Sequence, residues 1–140
     1  MIYIRQIEAK DTWNLRQTVM WPEKSLDFVK LKDDELGFHF GLFQNEILCA
    51  VISLFCTGKS AQFRKFATLQ HLQKQGLGTQ LLEYVIEFSR SKNIDILWCD
   101  ARVSATAFYQ KFGFEIISQP FTKETELYVK MEKIFNIKQS

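Results

Sequence analysis

The stretch Gln73-Lys74-Gln75-Gly76-Leu77-Gly78-Thr79 constrains the fold of this chain more than any other, because two glycines crowd a turn between a strand-like run and an amphipathic helix. Upstream, residues 61–69 read as a strand. Downstream, Leu77, Leu81, Leu82, Val85 and Phe88 recur at the spacing of one helix face. The glycines therefore stand at a helix N-terminus. There the first N–H groups have no intrahelical partners and the helix dipole adds partial positive charge, so main chain alone can hold a pyrophosphate. Side chains would obstruct that approach. A tight turn, or close packing of helix on sheet, fits the same spacing.

Two phosphate-binding motifs are excluded. A P-loop needs Lys-Ser or Lys-Thr directly after its last glycine, whereas Gly78 is followed by Thr79 and Gln80. A dinucleotide-binding unit needs a third glycine, where Leu81 stands, in a βαβ unit that opens the chain.

At 140 residues, 46% hydrophobic with thirteen Phe, the chain suits one compact domain over residues 1–140. A net charge of +2 without a basic block argues against nucleic acid as a partner. Cys49, Cys56 and Cys99 are odd in number, lack metal-ligand spacing and lie in apolar runs, so buried thiols in a reducing compartment, and no metal site, are expected. With no signal-peptide core and no run near the roughly 18 apolar residues of a membrane span, the expectation is a soluble cytoplasmic protein with no membrane partner.

The pattern is α+β. Residues 2–7 read as a strand, and Asp11 as the N-cap of a helix to about Val19, ended by Trp21-Pro22. A short helix is expected over 25–32, then strands 38–44 and 47–55 around an Asn45-Glu46 hairpin, with a second hairpin at Thr57-Gly58-Lys59. After the glycine turn come a helix to about Ser91, a strand at 94–101, a helix at 104–112, and strands near 114–118 and 127–131.

In these blocks the sequence resembles the GNAT superfamily of N-acetyltransferases. Gln73, Gly76 and Gly78 match its Gln/Arg-x-x-Gly-x-Gly/Ala signature. Residues 94–101 look like its fifth strand, and Tyr109 to Phe114 like its Tyr-x-x-x-Gly-Phe ending. The resemblance covers about residues 61–133 and implies an acyl-CoA N-acyltransferase fold, a mixed central sheet flanked by helices. It implies an acetyl-CoA-dependent enzyme that moves acetyl directly to an amine, a small molecule or a peptide. It also admits a homodimer. Residue by residue, the pantetheine arm would pair with the main chain of Phe66, Ala67 and Thr68, an amide there stabilising the oxyanion. The pyrophosphate would lie on Gln73, Lys74, Gln75, Gly76, Leu77, Gly78 and Thr79.

By the same resemblance Tyr109 would donate to the departing thiolate, its alternative being to pack with Phe108 and Phe112. Many relatives carry a glutamate on the strand before the glycine turn, where this chain has Gln62, Arg64 and Lys65. Asp100, Glu35 and His39 remain as candidate bases, each with a structural alternative, and Arg102 stands where relatives have a cofactor-contacting asparagine. The missing glutamate keeps a second class open: a non-catalytic acyl-CoA-binding or protein-interaction module. Acceptor choice is expected in residues 15–36 and in the hairpin loops, with Trp13, Arg16 and Trp21 as candidate pocket residues.

Overall fold

The computed structural model describes residues 1–135; the last five residues of the expected 1–140 domain lie outside the described residues. Its strands are β1 (Ile2–Ile7), β2 (Phe38–Gln44), β3 (Ile47–Thr57), β4 (Ser60–Thr68), β5 (Ile96–Arg102), β6 (Glu115–Ile116), β7 (Phe121–Lys123) and β8 (Glu126–Ile134). Its helices are α1 (Trp13–Met20), α2 (Leu77–Ser91) and α3 (Thr106–Gln110). The strands hydrogen-bond in the order β1-β2-β3-β4-β5-β8-β6, with β7 on β8. The β4–β5 ladder is parallel and those of β1–β2, β2–β3 and β5–β8 are antiparallel, so the sheet is mixed, as expected. The chain divides into two compact units: Met1–Phe55 with Phe63–Phe88, and Cys56–Gln62 with the chain from Ser89 onward.

In the first unit, Asn45 and Glu46 both take left-handed φ (52° and 70°), the primed turn whose twist matches its flanking strands. Ile7, Leu15, Phe43, Val51 and Ala67 form one buried cluster. Of the helix face read from sequence, Leu77, Leu81, Leu82 and Val85 are buried as expected and joined by Ile86, while Phe88 is half-buried. Asp11 does not cap α1. Its carboxylate accepts from the Glu8 N–H at 2.9 Å, which winds Ala9–Thr12 as a 3-10 turn and delays α1 to Trp13. The helix expected over 25–32 is only the 3-10 turn Leu26–Val29. There the Val29 carbonyl, which a longer helix would use internally, accepts from Arg16 Nη1 at 2.9 Å.

Arg16 anchors a buried polar network. Its guanidinium grips Asp34 through two bonds, Nη1 to Oδ2 at 2.9 Å and Nη2 to Oδ1 at 3.0 Å, and Nη2 also donates to Ser53 Oγ at 3.0 Å. His39 Nε2 faces the Asp34 carbonyl and Nδ1 faces Ser53 Oγ, each at 2.7 Å. A carbonyl only accepts, so Nε2 carries the proton, and the Ser53 hydroxyl is left to donate to Nδ1. Burial pushes the Asp34 carboxyl up, but bonds from Arg16, the Leu31 N–H and the Trp13 indole outweigh it and hold it below its ordinary range.

In the second unit, β5 and β8 pair along their length from Ile96↔Ile134 to Arg102↔Tyr128. Leu97, Cys99, Ala101, Val129 and Met131 bury one face of this ladder, while Trp98, Asp100, Tyr128 and Lys130 on the other are part-exposed. The helix expected over 104–112 is a 3-10 turn, Val103–Ala105, followed by α3. Past its end Gly113 has φ +91° and would bring a Cβ to 2.7 Å from Lys133 Nζ, which caps the Phe112 carbonyl at 2.8 Å. Cys56 is exposed, contrary to expectation, because β3 ends in the Gly58 turn; Cys49 and Cys99 are buried.

Candidate functional site

The glycine turn has left-handed backbone at two positions just ahead of α2. Lys74 (φ +67°) and Gly76 (φ +83°) both adopt left-handed backbone, and the first helical bond runs from the Gln80 N–H to the Gly76 carbonyl at 3.1 Å. The amides of Gly76, Leu77, Gly78 and Thr79 thus precede the ladder of α2, whose fifteen residues stack their dipole behind them. A Cβ on Gly76 would meet nothing within 4 Å, so φ, not space, demands glycine. Gly78 is different. Its missing Cβ would lie 3.4 Å from Phe66 Cζ and 3.7 Å from Thr68 Oγ1, so this turn of α2 packs directly on β4.

Gln73 has a role that the motif alone did not disclose. Its side-chain amide donates to the Thr68 carbonyl at 2.9 Å, tying the turn to the end of β4. In β4 itself, Lys65 takes left-handed φ (+56°), an interruption that no glycine or asparagine announced in the sequence. The parallel ladder with β5 uses Ser60–Gln62, and β4 continues beyond it, so Phe66, Ala67 and Thr68 begin four residues past the last pair. Within this unit, the first turn of α2 and the last residues of β4 come together.

Tyr109 lies in the second unit, on α3, with its ring against Phe108 (5.2 Å) and Phe114 (6.0 Å). Burial, with the Cys99 thiol adding to it against a smaller opposing effect of Arg102, raises its phenol well above the ordinary value, so it is a donor at neutral pH. Of its neighbours Phe114 is the fully buried ring, while Phe108 and Phe112 are half-buried. Burial also pushes the Cys99 thiol up to about 12, which removes it as a nucleophile.

His39 and Arg16 are buried and bonded within the polar network. Trp13 donates to Asp34 at 3.1 Å, whereas the buried Trp21 Nε1 has no partner among the described residues. Glu35, Arg102 and Lys74 are exposed. Asp100 is 20% exposed, and its Oδ1 is buried without a donor among the described residues. Those residues contain no cluster of side chains able to hold a metal, and no helix among them is long and apolar enough to cross a membrane.

The Gln73 side chain thus ties the turn that opens α2 to the end of β4. Residues 27–135 match the acetyltransferase (GNAT) domain family. An uncharacterized N-acetyltransferase of Bacillus subtilis, YitI, is 26% identical over 130 residues, covering 86% of this chain and 87% of that protein. Among solved structures, the ribosomal-protein-S18-alanine N-acetyltransferase of Escherichia coli superposes with a TM-score of 0.83 at 23% identity, covering 99% of this chain and 97% of that one. A GNAT-family acetyltransferase of Elizabethkingia anophelis with acetyl-CoA bound gives 0.75 at 21% identity, over 96% and 98%. The chain belongs to the GNAT acetyltransferase family. It has that fold and is an acetyl-CoA-dependent N-acetyltransferase.

Proposed function

We propose that residues 1–140 act as one transferase domain that passes acetyl directly from acetyl-CoA to the amine of a small molecule or peptide. The observation that carries this reading is the Gln73–Thr68 bond, which holds the free amides of α2 beside the end of β4. The pyrophosphate takes the main chain of Gln73 to Thr79, and the pantetheine pairs with Phe66, Ala67 and Thr68 like an added strand. An N–H of that segment receives the charge that develops on the acetyl oxygen.

The neutral amine nitrogen attacks the acetyl carbonyl carbon. A C–N bond forms, the C–S bond breaks, the nitrogen sheds a proton to water, and the thiolate leaves. Tyr109 donates a hydrogen bond to that sulfur. Its raised pKa places it far above a thiol near 8.5, so it stabilises the thiolate and does not hand over its proton. No side chain need carry acetyl. The reading includes a cytoplasmic protein that works without nucleic acid or membrane and that forms a homodimer.

Free-thiol release from acetyl-CoA across an amine panel, with mass spectrometry of the products, tests it. An acetylated amine formed one for one with thiol supports direct transfer; thiol without acetylated amine removes it.

A further inference from the structure

We propose that Arg64 binds a carboxylate of the acceptor, so that the amine acetylated is one that also carries a carboxylate. This rests on the transferase reading, in which pyrophosphate on the α2 turn and pantetheine along Thr68 to Phe66 leave the acetyl group at the Phe66 end of that segment. Arg64 lies two residues further back on the same strand, about 7 Å at the rise of a β-strand, and in the same compact unit. Phe63 and Phe66, whose rings meet at 6.2 Å, turn to the α2 face, where Phe66 approaches Gly78. Arg64 takes the other face and meets Asp33 and Phe55.

The guanidinium is held in place and under-used. Its Cζ lies 5.4 Å from the centre of the Phe55 ring, and Gly37 leaves room for that ring, since a Cβ there would come within 2.6 Å of Phe55 Cε2. Its charged partner among the described residues is Asp33, through one contact of 3.6 Å from Nη1 to Oδ1. A charge-assisted bond is normally about 2.7–2.9 Å. Arg16 shows a closed pair in the same unit: two bonds of 2.9 and 3.0 Å to Asp34, both side chains buried. By contrast the Arg64 side chain is 34% exposed and that of Asp33 46%, so a ligand from solvent can reach both.

A planar fork with one loose contact suits a carboxylate that can take two parallel bonds, a geometry that an amide group cannot match in charge. Displacing Asp33 costs little, because a half-exposed ion pair contributes little and the freed carboxylate returns to water. Amino acids and peptides with a nearby acidic group meet the requirement.

The experiment titrates glycine, β-alanine, γ-aminobutyrate and diglycine, each beside its amide, and phosphoethanolamine, calorimetrically into CoA-saturated wild type, Arg64→Met and Asp33→Asn. The same compounds are assayed with acetyl-CoA by thiol release, and thermal melts show that both variants fold. In the wild type at least one carboxylate binds about tenfold or more tighter than its amide, and Arg64→Met erases that preference. Asp33→Asn removes the internal competitor and strengthens it. A merely structural ion pair moves both variants the same way, because either substitution breaks it. No carboxylate preferred over its amide, a preference that survives Arg64→Met, or phosphoethanolamine bound above every carboxylate overturns the proposal. Arg64-dependent carboxylate binding with no thiol from any amine leaves the site standing and overturns the transferase reading instead.

Discussion

Replacing Gly76 by valine separates backbone conformation from ordinary destabilisation, because a matched control exists at Gly58. Both glycines have positive φ, +83° and +60°, and at both a Cβ would meet nothing within 4 Å. The cost at each is conformational: about 1–2 kcal/mol for a side chain held in left-handed backbone, and more for a β-branched one. In a thermal melt that loss lowers Tm by roughly 2–8 °C. The ligand response then distinguishes them. Acetyl-CoA at a hundredfold excess over its Kd stabilises the wild type by about 2.7 kcal/mol. Gly76→Val relieves its strain by leaving the left-handed region, which rotates the peptide plane at Leu77 and turns the α2 amides off the phosphate. Its acetyl-CoA shift vanishes. Gly58→Val melts equally early yet keeps the full shift. A Gly76→Val protein that retains the shift, or a Gly58→Val protein that loses it too, would refute the cradle.

Lys74→Gly removes a charge from a residue at φ +67°, so Tm holds or rises by up to about 1 kcal/mol of stability while acetyl-CoA affinity falls modestly, more at low salt than at high. Arg102→Ala shows the same salt dependence in a binding titration without the gain in stability. Tyr109→Phe lowers kcat by about tenfold or more with little change in acetyl-CoA affinity, because only the hydrogen bond to the leaving sulfur is lost. Arg16→Met strands the buried Asp34 carboxylate and costs about 3–5 kcal/mol in denaturant unfolding. Because the folded pKa of Asp34 is depressed, its stabilisation is present above the ordinary value of 3.8 and is lost as pH falls through the lower folded value. Acid melts of Asp34→Asn lack that component.

Most of the architecture was legible because periodicity and turn chemistry agreed with tertiary packing. The face of α2, the Asn45-Glu46 turn and the glycine turn ahead of α2 were all written in residue type. What sequence hid was decided by contacts between distant residues. The turn at Glu124-Thr125 is left-handed at both positions (φ +52° and +71°) with neither Asn nor Gly to mark it, so no turn residue signals β7. Lys65 bends β4 with a side chain that usually avoids such backbone. Leu26–Val29 stays a single 3-10 turn because Arg16 takes its carbonyl from thirteen residues away. Within the site, Gln73 was legible as a motif letter, but its bond to Thr68 was not. Arg16 and His39 were candidates for the same reason: a buried structural residue and a functional one share one alphabet, and only burial with partners at both Nη atoms of Arg16 and both ring nitrogens of His39 tells them apart.

A single-turnover measurement with acetyl-labelled acetyl-CoA tests direct transfer most simply. Protein in excess is mixed with label, first without and then with an active amine, and quenched in acid. Direct transfer predicts that the protein carries no acid-stable label at any time and that label appears on the amine only once both substrates are present. Label on the protein that forms without the amine, and then passes to it, would contradict direct transfer.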